Sequence, residues 1–191
     1  MLFRSGFALA RAAQQAGADV HLVAGTVALE TPWGVFREDV QTAQQMHDAV
    51  MRAVPDYDIF IGVAAVADWR VDHVSAHKIK KTAERAMPTF TFVENPDILA
   101  SVAKLPHPPF CVGFAAESGD LDVHGEDKRV RKNVPLLIGN LGPLTFGLDD
   151  NEVVLFEAGG VTKLPRADKQ MLAGALIAEI AKRLPDTSLI R

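Results

Sequence analysis

The sequence is short of nearly everything that marks a chain for export, membrane insertion or metal capture. Its single cysteine, Cys111, leaves no intrachain disulfide and no cysteine-based zinc site. No apolar run reaches the roughly 18 residues that a membrane-spanning helix needs. Met1-Leu2-Phe3-Arg4-Ser5 is too short, and too polar beyond Phe3, for a secretory signal. Positive charge is not in excess: the formal net charge of −4 gives no whole-molecule attraction to nucleic acid or to an anionic membrane. A cytoplasmic protein is expected, and any anion site on it must be a local cluster. Gly-x-Ser-x-Gly elbows, Walker loops and Gly-x-Gly-x-x-Gly turns are all missing, which speaks against a serine hydrolase, a P-loop nucleotidase and an ordinary NAD enzyme.

What is present is concentrated in Ile59-Phe60-Ile61-Gly62-Val63-Ala64-Ala65-Val66-Ala67-Asp68-Trp69. An apolar run with a glycine inside it stops on a carboxylate. A buried strand of a parallel sheet delivers one polar group in this way to the sheet's carboxyl edge, where open α/β folds bind ligands. The 191 residues, 48% hydrophobic, suffice for one domain over 1–191 with a sizeable core.

Along the chain, helices alternate with strands. Residues 6–16 are alanine-rich, with Gly17 placed to end a helix. Val20 to Ala24 reads as a short strand. Thr42-Ala43-Gln44-Gln45 is a capping box opening a helix to about Val54. A strand over 59–66 follows, then a mobile arm near 70–88 and a strand over Thr89-Phe90-Thr91-Phe92. Asn95 with Pro96 opens a helix to about Leu105. A strand over 110–115, a helix over 121–133 and a short strand over Leu136-Leu137-Ile138 come next. Two strands around Ala158-Gly159-Gly160 form a hairpin, and the last helix, 168–184, places Leu172, Leu176, Ile177, Ile180 and Leu184 on one face. The pattern implies an α/β fold: a doubly wound, mostly parallel, Rossmann-like sheet with helices on both faces and a C-terminal β-hairpin. The chain opens on a helix, although a doubly wound sheet normally places its first strand centrally. A segment absent from the sequence is the expectation, because losing a central strand leaves two unpaired edges.

Several groups admit both a chemical and a plain structural role. Lys78, Lys80 and Lys81 put three charges in four residues. They suit closure over a triphosphate, or simply a solvated run. Lys128 and Lys132, in Lys128-Arg129-Val130-Arg131-Lys132, share a helix face and would meet an anionic ligand, or water. A nucleic-acid patch there lacks interleaved aromatics. Asp68 suits a ribose hydroxyl, a base edge or a metal-bound water, or caps a turn. Phe114 suits stacking on a base, or the core. His73 and His77 are four apart but lack a clean third ligand. Cys111, inside an apolar strand, reads as a packed, inert thiol.

Taken in order, Ala64-Ala65-Val66-Ala67-Asp68-Trp69, Lys78-Ile79-Lys80-Lys81, Asn95-Pro96-Asp97-Ile98, Gly113-Phe114-Ala115-Ala116-Glu117 and Lys128-Arg129-Val130-Arg131-Lys132-Asn133 resemble the bacterial phosphopantothenate–cysteine ligases. The resemblance runs from about Gly6 to the last helix. It implies CTP-dependent ligation of 4′-phosphopantothenate to L-cysteine through an acyl-cytidylate, with Mg²⁺ accompanying CTP. It also implies a homodimer, and fusion to or association with a flavin-dependent decarboxylase. By the same resemblance Gly62, Val63, Ala64 and Asp68 contact the nucleotide, and Lys78 is the catalytic lysine. Asn95, Pro96, Asp97 and Ile98 line the nucleotide pocket, Phe114 packs near the base, and Lys128 and Lys132 reach the phosphates.

Departures from the family pattern limit this. The Gly-rich first strand, and the Arg and Asn that serve the acyl-cytidylate step, have no counterpart here. The family's Asn-Asp is Asn140-Leu141. A CTP-binding fragment or paralogue that does not complete turnover is therefore one alternative, and an NAD(P)-dependent oxidoreductase on a similar fold is another.

Overall fold

The structure, a computed structural model, describes residues 2–75, 77–78, 89–117, 121–141 and 150–184. Helix α1 (Leu2–Gln15) gives way at Gly17, whose φ of 92° is left-handed and open to glycine without strain. Strand β1 (His21–Ala24) pairs in parallel with β2 (Phe36–Asp39). The sequence reading contains no strand at β2, because Phe36-Arg37-Glu38-Asp39 carries one apolar residue and hence no alternation. Helix α2 (Ala43–Ala53) opens on the expected capping box: the Gln45 N–H donates to Thr42 Oγ1 at 3.1 Å, and the Thr42 N–H donates to Gln45 Oε1 at 3.1 Å.

Strand β3 (Ile59–Gly62) leads into a ribbon of two antiparallel strands, β4 (Trp69–Val71) and β5 (Phe92–Glu94). Helix α3 (Ile98–Ala103), strand β6 (Phe110–Glu117), helix α4 (Leu121–Lys132) and strand β7 (Leu136–Leu141) follow. The hairpin of β8 (Asp150–Glu157) and β9 (Gly160–Asp168) precedes the last helix, α5 (Lys169–Ala181). The central sheet has the order β3-β6-β7-β8-β9. It is parallel from β3 to β7 and turns antiparallel at β8 and β9.

Side chains alternate across the sheet and build two apolar layers. On one face Cys111, Leu137 and Phe156 pack with Val50, Ile98 and Val102 from α2 and α3. On the other, Val112, Leu136, Ile138 and Leu155 pack with Leu9 of α1 and with Leu172, Leu176 and Ile180 of α5. The expected doubly wound α/β architecture with a C-terminal hairpin is what forms. Among the described residues, no helix is long and apolar enough to cross a membrane.

Four expectations need correction, the first being the strand expected over 89–92, which forms instead at 92–94, where the pairing with β4 lies. The strand expected over 59–66 stops at Gly62, and its four residues are half-buried rather than buried. Among the described residues β3 is an outer strand, paired with β6 alone, while β1 and β2 form a sheet of their own. Beyond Gly62 the backbone leaves the ladder, so Ala64 and Ala65 are exposed despite their apolar character. The arm expected near 70–88 begins as a strand, since Arg70 and Val71 lie in β4. Residues 76 and 79–88, with Lys80 and Lys81, lie outside the described residues. The helix expected with Asn95 as cap and Pro96 first starts two residues later, at Ile98, and Asp97 is its cap.

Two helix glycines make opposite predictions. A Cβ on Gly125 of α4 would lie 2.4 Å from the ring of Phe156, which is fully buried. A Cβ on Gly174 of α5 would meet nothing within 4 Å. Gly125→Ala should lower stability by roughly 1–3 kcal/mol, overpacking outweighing helix propensity. Gly174→Ala should raise it by about 0.5–1 kcal/mol. Denaturant titrations of both variants check the contrast.

Cys111 is buried to 1% exposure, and burial pushes its thiol up from 9.0 to about 11. The folded thiol therefore holds its proton where the unfolded one loses it. Its contribution to stability is complete below about pH 9 and declines as pH rises toward 11. Cys111→Ala should flatten that alkaline loss, and native Cys111 should resist a thiol reagent at pH 8 until the protein unfolds.

Candidate functional site

The site candidates sit where the chain leaves the carboxyl end of β3. The register places Gly62 opposite Gly113 of β6. Gly113 lets α3 lie close to the sheet. A Cβ on Gly113 would come within 2.7 Å of Leu99 and 2.8 Å of Leu137, and one on Gly62 within 3.6 Å of Leu99. Gly113 thus has a packing reason to be glycine, whereas a Cβ on Gly62 would make only ordinary van der Waals contact. Val63 packs toward α1, Val66 packs toward α2 and α3, and Ala64 and Ala67 are exposed.

Asn95 ties this exposed loop to the segment before α3. Its backbone N–H donates to the Asp68 carbonyl at 2.8 Å. Its side-chain Nδ2 donates to the Ala67 carbonyl at 2.8 Å. Its Oδ1 accepts from Arg70 Nη1 at 3.2 Å, and the same nitrogen donates to the Glu94 carbonyl at 2.5 Å. All of the groups named here come from two short segments, 67–70 and 94–95, which the β4–β5 pairing brings side by side. Asn95 is therefore a cross-link, not a helix cap. Sequence reasoning missed Arg70, and the only available signal was its place two residues after Asp68.

Asp97 caps α3 by accepting from the Ala100 N–H at 3.0 Å. Its other oxygen forms an ion pair with the Lys132 ammonium. Burial pushes the Asp97 carboxyl up, but the Lys132 ammonium and the Ala100 N–H outweigh it and hold the group below 3.8. On α4, Lys128 and Lys132 are both half-buried while Val130 and Arg131 face outward, so the shared face expected from their spacing forms. Arg129 is used internally: it grips Glu126 at 2.7 and 2.8 Å and donates to the Val134 carbonyl.

Asp68, Asn95, Pro96 and Asp97 accordingly come together, with Lys132 bonded to Asp97. Two residues fall elsewhere. Phe114 points to the opposite face of the sheet, where it lines a shallow pocket with Ser5, Leu9, Lys169 and Leu172. Lys78 is exposed beyond the ribbon, with no described contact to this cluster. No group of three or more His, Cys, Asp or Glu side chains stands ready as a metal cage among the described residues.

Residues 4–184 match the family model described as the DNA/pantothenate metabolism flavoprotein C-terminal domain. The chain belongs to this family. The coenzyme A biosynthesis bifunctional protein CoaBC of Vibrio cholerae is 45% identical over 185 residues, covering 95% of this chain and 46% of that protein. The chain thus spans about half the length of the curated relatives it matches. The crystal structure of the C-terminal domain of a CoaBC superposes with a TM-score of 0.79 at 28% identity, covering 95% of this chain and 82% of that one. A Cab2 mutant in complex with phosphopantothenate-cysteine shares the fold, with a TM-score of 0.57 at 18% identity, covering 78% of this chain and 54% of that one. In open α/β sheets ligands bind at the carboxyl edge of the strands, and this cluster lies at that edge of β3.

The Asp97–Lys132 pair makes a signed prediction. Because the folded carboxyl lies below 3.8, its stabilisation is present above about pH 4 and is lost as pH falls through the folded value. Lys132→Ala should move Asp97 back toward the ordinary carboxylate range and shrink that acid-side loss. An NMR titration of the Asp97 carboxyl reads the shift directly, and an unmoved value would mean the pair does not form in solution.

Proposed function

We propose that this chain carries out CTP-dependent ligation of 4′-phosphopantothenate to L-cysteine in coenzyme A biosynthesis. The observation that carries this reading is the convergence of the loop to Asp68, the segment 95–97 and Lys132 at one sheet edge, in a chain of this family.

The reaction needs positioning and charge neutralisation more than covalent help from the protein. The pantothenate carboxylate attacks the α-phosphate of CTP, a P–O bond forms, and pyrophosphate leaves. The cysteine amine then attacks the acyl carbon, the amide forms, and CMP leaves. The loop at Val63 and exposed Ala64, next to Gly62, brings backbone groups to the sheet edge where a base edge could be read. Asn95, Pro96, Asp97 and Ile98 shape the pocket wall. Lys78, Lys128 and Lys132 supply positive charge for the triphosphate and for the charge that develops on pyrophosphate. Lys132 is bound to Asp97 before any ligand arrives, so binding exchanges a carboxylate for a phosphate. Phe114 reaches the nucleotide only from across the sheet.

Mg²⁺ would arrive on the triphosphate and neutralise part of its charge. The residues fit that arrangement. Magnesium typically takes one or two carboxylates plus phosphate oxygens and water. The exposed Asp68 side chain has no partner among the described residues and is the candidate carboxylate.

Nucleotide binding without turnover is a second reading. It is favoured by β3 being an outer strand with half-buried apolar residues, so one wall beside the loop at 63–68 is open among the described residues. The proposal extends to a cytoplasmic homodimer that is fused to, or works with, a flavin-dependent decarboxylase. The ribbon supports a dimer contact, since Trp69 and Phe92 are each 57% exposed on it.

The test incubates the chain with CTP, Mg²⁺ and 4′-phosphopantothenate, with and without cysteine, and follows products by mass spectrometry. Amide and CMP are expected, and Lys78→Ala should slow their appearance by about 100-fold, on the order expected for a lost electrostatic contact to developing charge. Acyl-cytidylate alone would support nucleotide activation without completion. Thermal stabilisation by NAD(P) but not by CTP would replace the proposal with an oxidoreductase.

A further inference from the structure

We propose that Arg70 is an additional anion-binding residue of this site, and that Asn95 is its positioning residue. The ligand class is a phosphate group, either on the triphosphate or on the phosphorylated pantothenate. The inference rests on the proposed function for the identity of that ligand, but not for the anion role itself.

The geometry of one guanidinium carries the inference. Nη1 donates to the Glu94 carbonyl at 2.5 Å and to Asn95 Oδ1 at 3.2 Å. Those two bonds use both hydrogens on that nitrogen. The Nε hydrogen and the two on Nη2 remain, and they form the fork that binds a phosphate or carboxylate through two parallel hydrogen bonds. Both acceptors are neutral. Arg37, Arg52, Arg129 and Arg183 are each paired with a carboxylate, whereas no carboxylate lies within ion-pair distance of Arg70 among the described residues. Arg70 therefore keeps its full charge while its orientation is already fixed, so a ligand need not supply the ordering.

Its placement fits the role. Arg70 is exposed, two residues after Asp68, and it is bonded at positions 94 and 95. Lys132 is bonded at position 97 of the same segment. Two cations from separate elements thus flank Asn95-Pro96-Asp97. One is neutralised in advance by Asp97, and the other is not. Asn95 sets Arg70 by holding it through Oδ1 while its own Nδ2 is fastened to the Ala67 carbonyl.

Calorimetric titration with tripolyphosphate, CTP, CMP, 4′-phosphopantothenate and pantothenate tests this on the whole chain, with melting temperatures recorded for every variant. Arg70→Ala should weaken tripolyphosphate about tenfold, the scale of one charge-assisted contact. A matching loss for CTP but not CMP assigns the contact to the outer phosphates. A loss for 4′-phosphopantothenate but not pantothenate assigns it to the phosphate monoester. Arg70→Lys keeps the charge but not the fork, so it should recover only part of the affinity, and it serves as the folded comparison if the alanine variant is unstable. Asn95→Ala should weaken binding in the same direction and add nothing on top of Arg70→Ala. Additive losses would overturn the positioning role. Binding of tripolyphosphate, CTP and 4′-phosphopantothenate that is in every case indifferent to Arg70 would overturn the anion role and leave the ligase reading intact. Arg70-dependent binding of tripolyphosphate with no binding of CTP or 4′-phosphopantothenate would do the reverse. Binding of none of them would overturn both.

Discussion

The close approach of α3 to the central sheet is the constraint on which the site depends. Leu99 sits against Gly113 with room for a hydrogen and not for a methyl group. Gly62 beside it in the register extends the same smooth surface. With α3 pressed down there, its capping residue Asp97 arrives at the height where β3 ends. A bulkier strand would lift the helix and carry Asp97 away from Lys132 on α4. Gly113 is therefore what lets α3 lie low enough to bring a polar segment to the sheet edge.

A second constraint acts on the backbone. Once the chain leaves β3 at Gly62, the six residues 63–68 run without a ladder partner before β4 begins. Such a stretch needs outside hydrogen bonds to hold one shape. Asn95 supplies two of them, to the carbonyls of Ala67 and Asp68. An amide can donate and accept at once, so the same side chain also holds Arg70. Serine has a single donor and a shorter reach, and aspartate would lose the donor to Ala67. The residue type follows from the geometry of the cross-link, a different reason from the pocket lining that family resemblance suggests.

These two constraints also explain how far the sequence could be read. The capping box at Thr42 and Gln45, the hairpin around Gly159 and the apolar face of α5 are local patterns, and each forms as its residues indicate. The face shared by Lys128 and Lys132 needs only helical spacing, and it too was legible. What was illegible depends on partners distant in sequence. The run after Asp58 looked buried because its residues are apolar, yet burial requires a neighbour on each edge, and β3 has β6 alone among the described strands. Asn95 looked like a cap because a proline follows it, but its side chain was already engaged 28 positions back. Phe114 could not be assigned to a face until the register with Leu137 and Ile138 fixed which way each residue of β6 points.

The charges divide along the same line. Arg129 and Arg183 are bound to carboxylates and serve the fold, Arg183 by clamping Glu157 of β8 and Glu179 of α5. Lys132 is bound to one carboxylate whose own position is set by capping α3. That pair has an asymmetry. Asp97 keeps the Ala100 N–H if Lys132 leaves, so the carboxylate stays solvated by the helix end and the lysine can turn to a stronger anion at modest cost. A triphosphate offers several charges where Asp97 offers one, so the exchange favours the nucleotide while preserving the cap that positions α3. The resting ion pair thereby holds the lysine at the site without fixing it there, and the packing of α3 on Gly113 keeps that arrangement at the sheet edge.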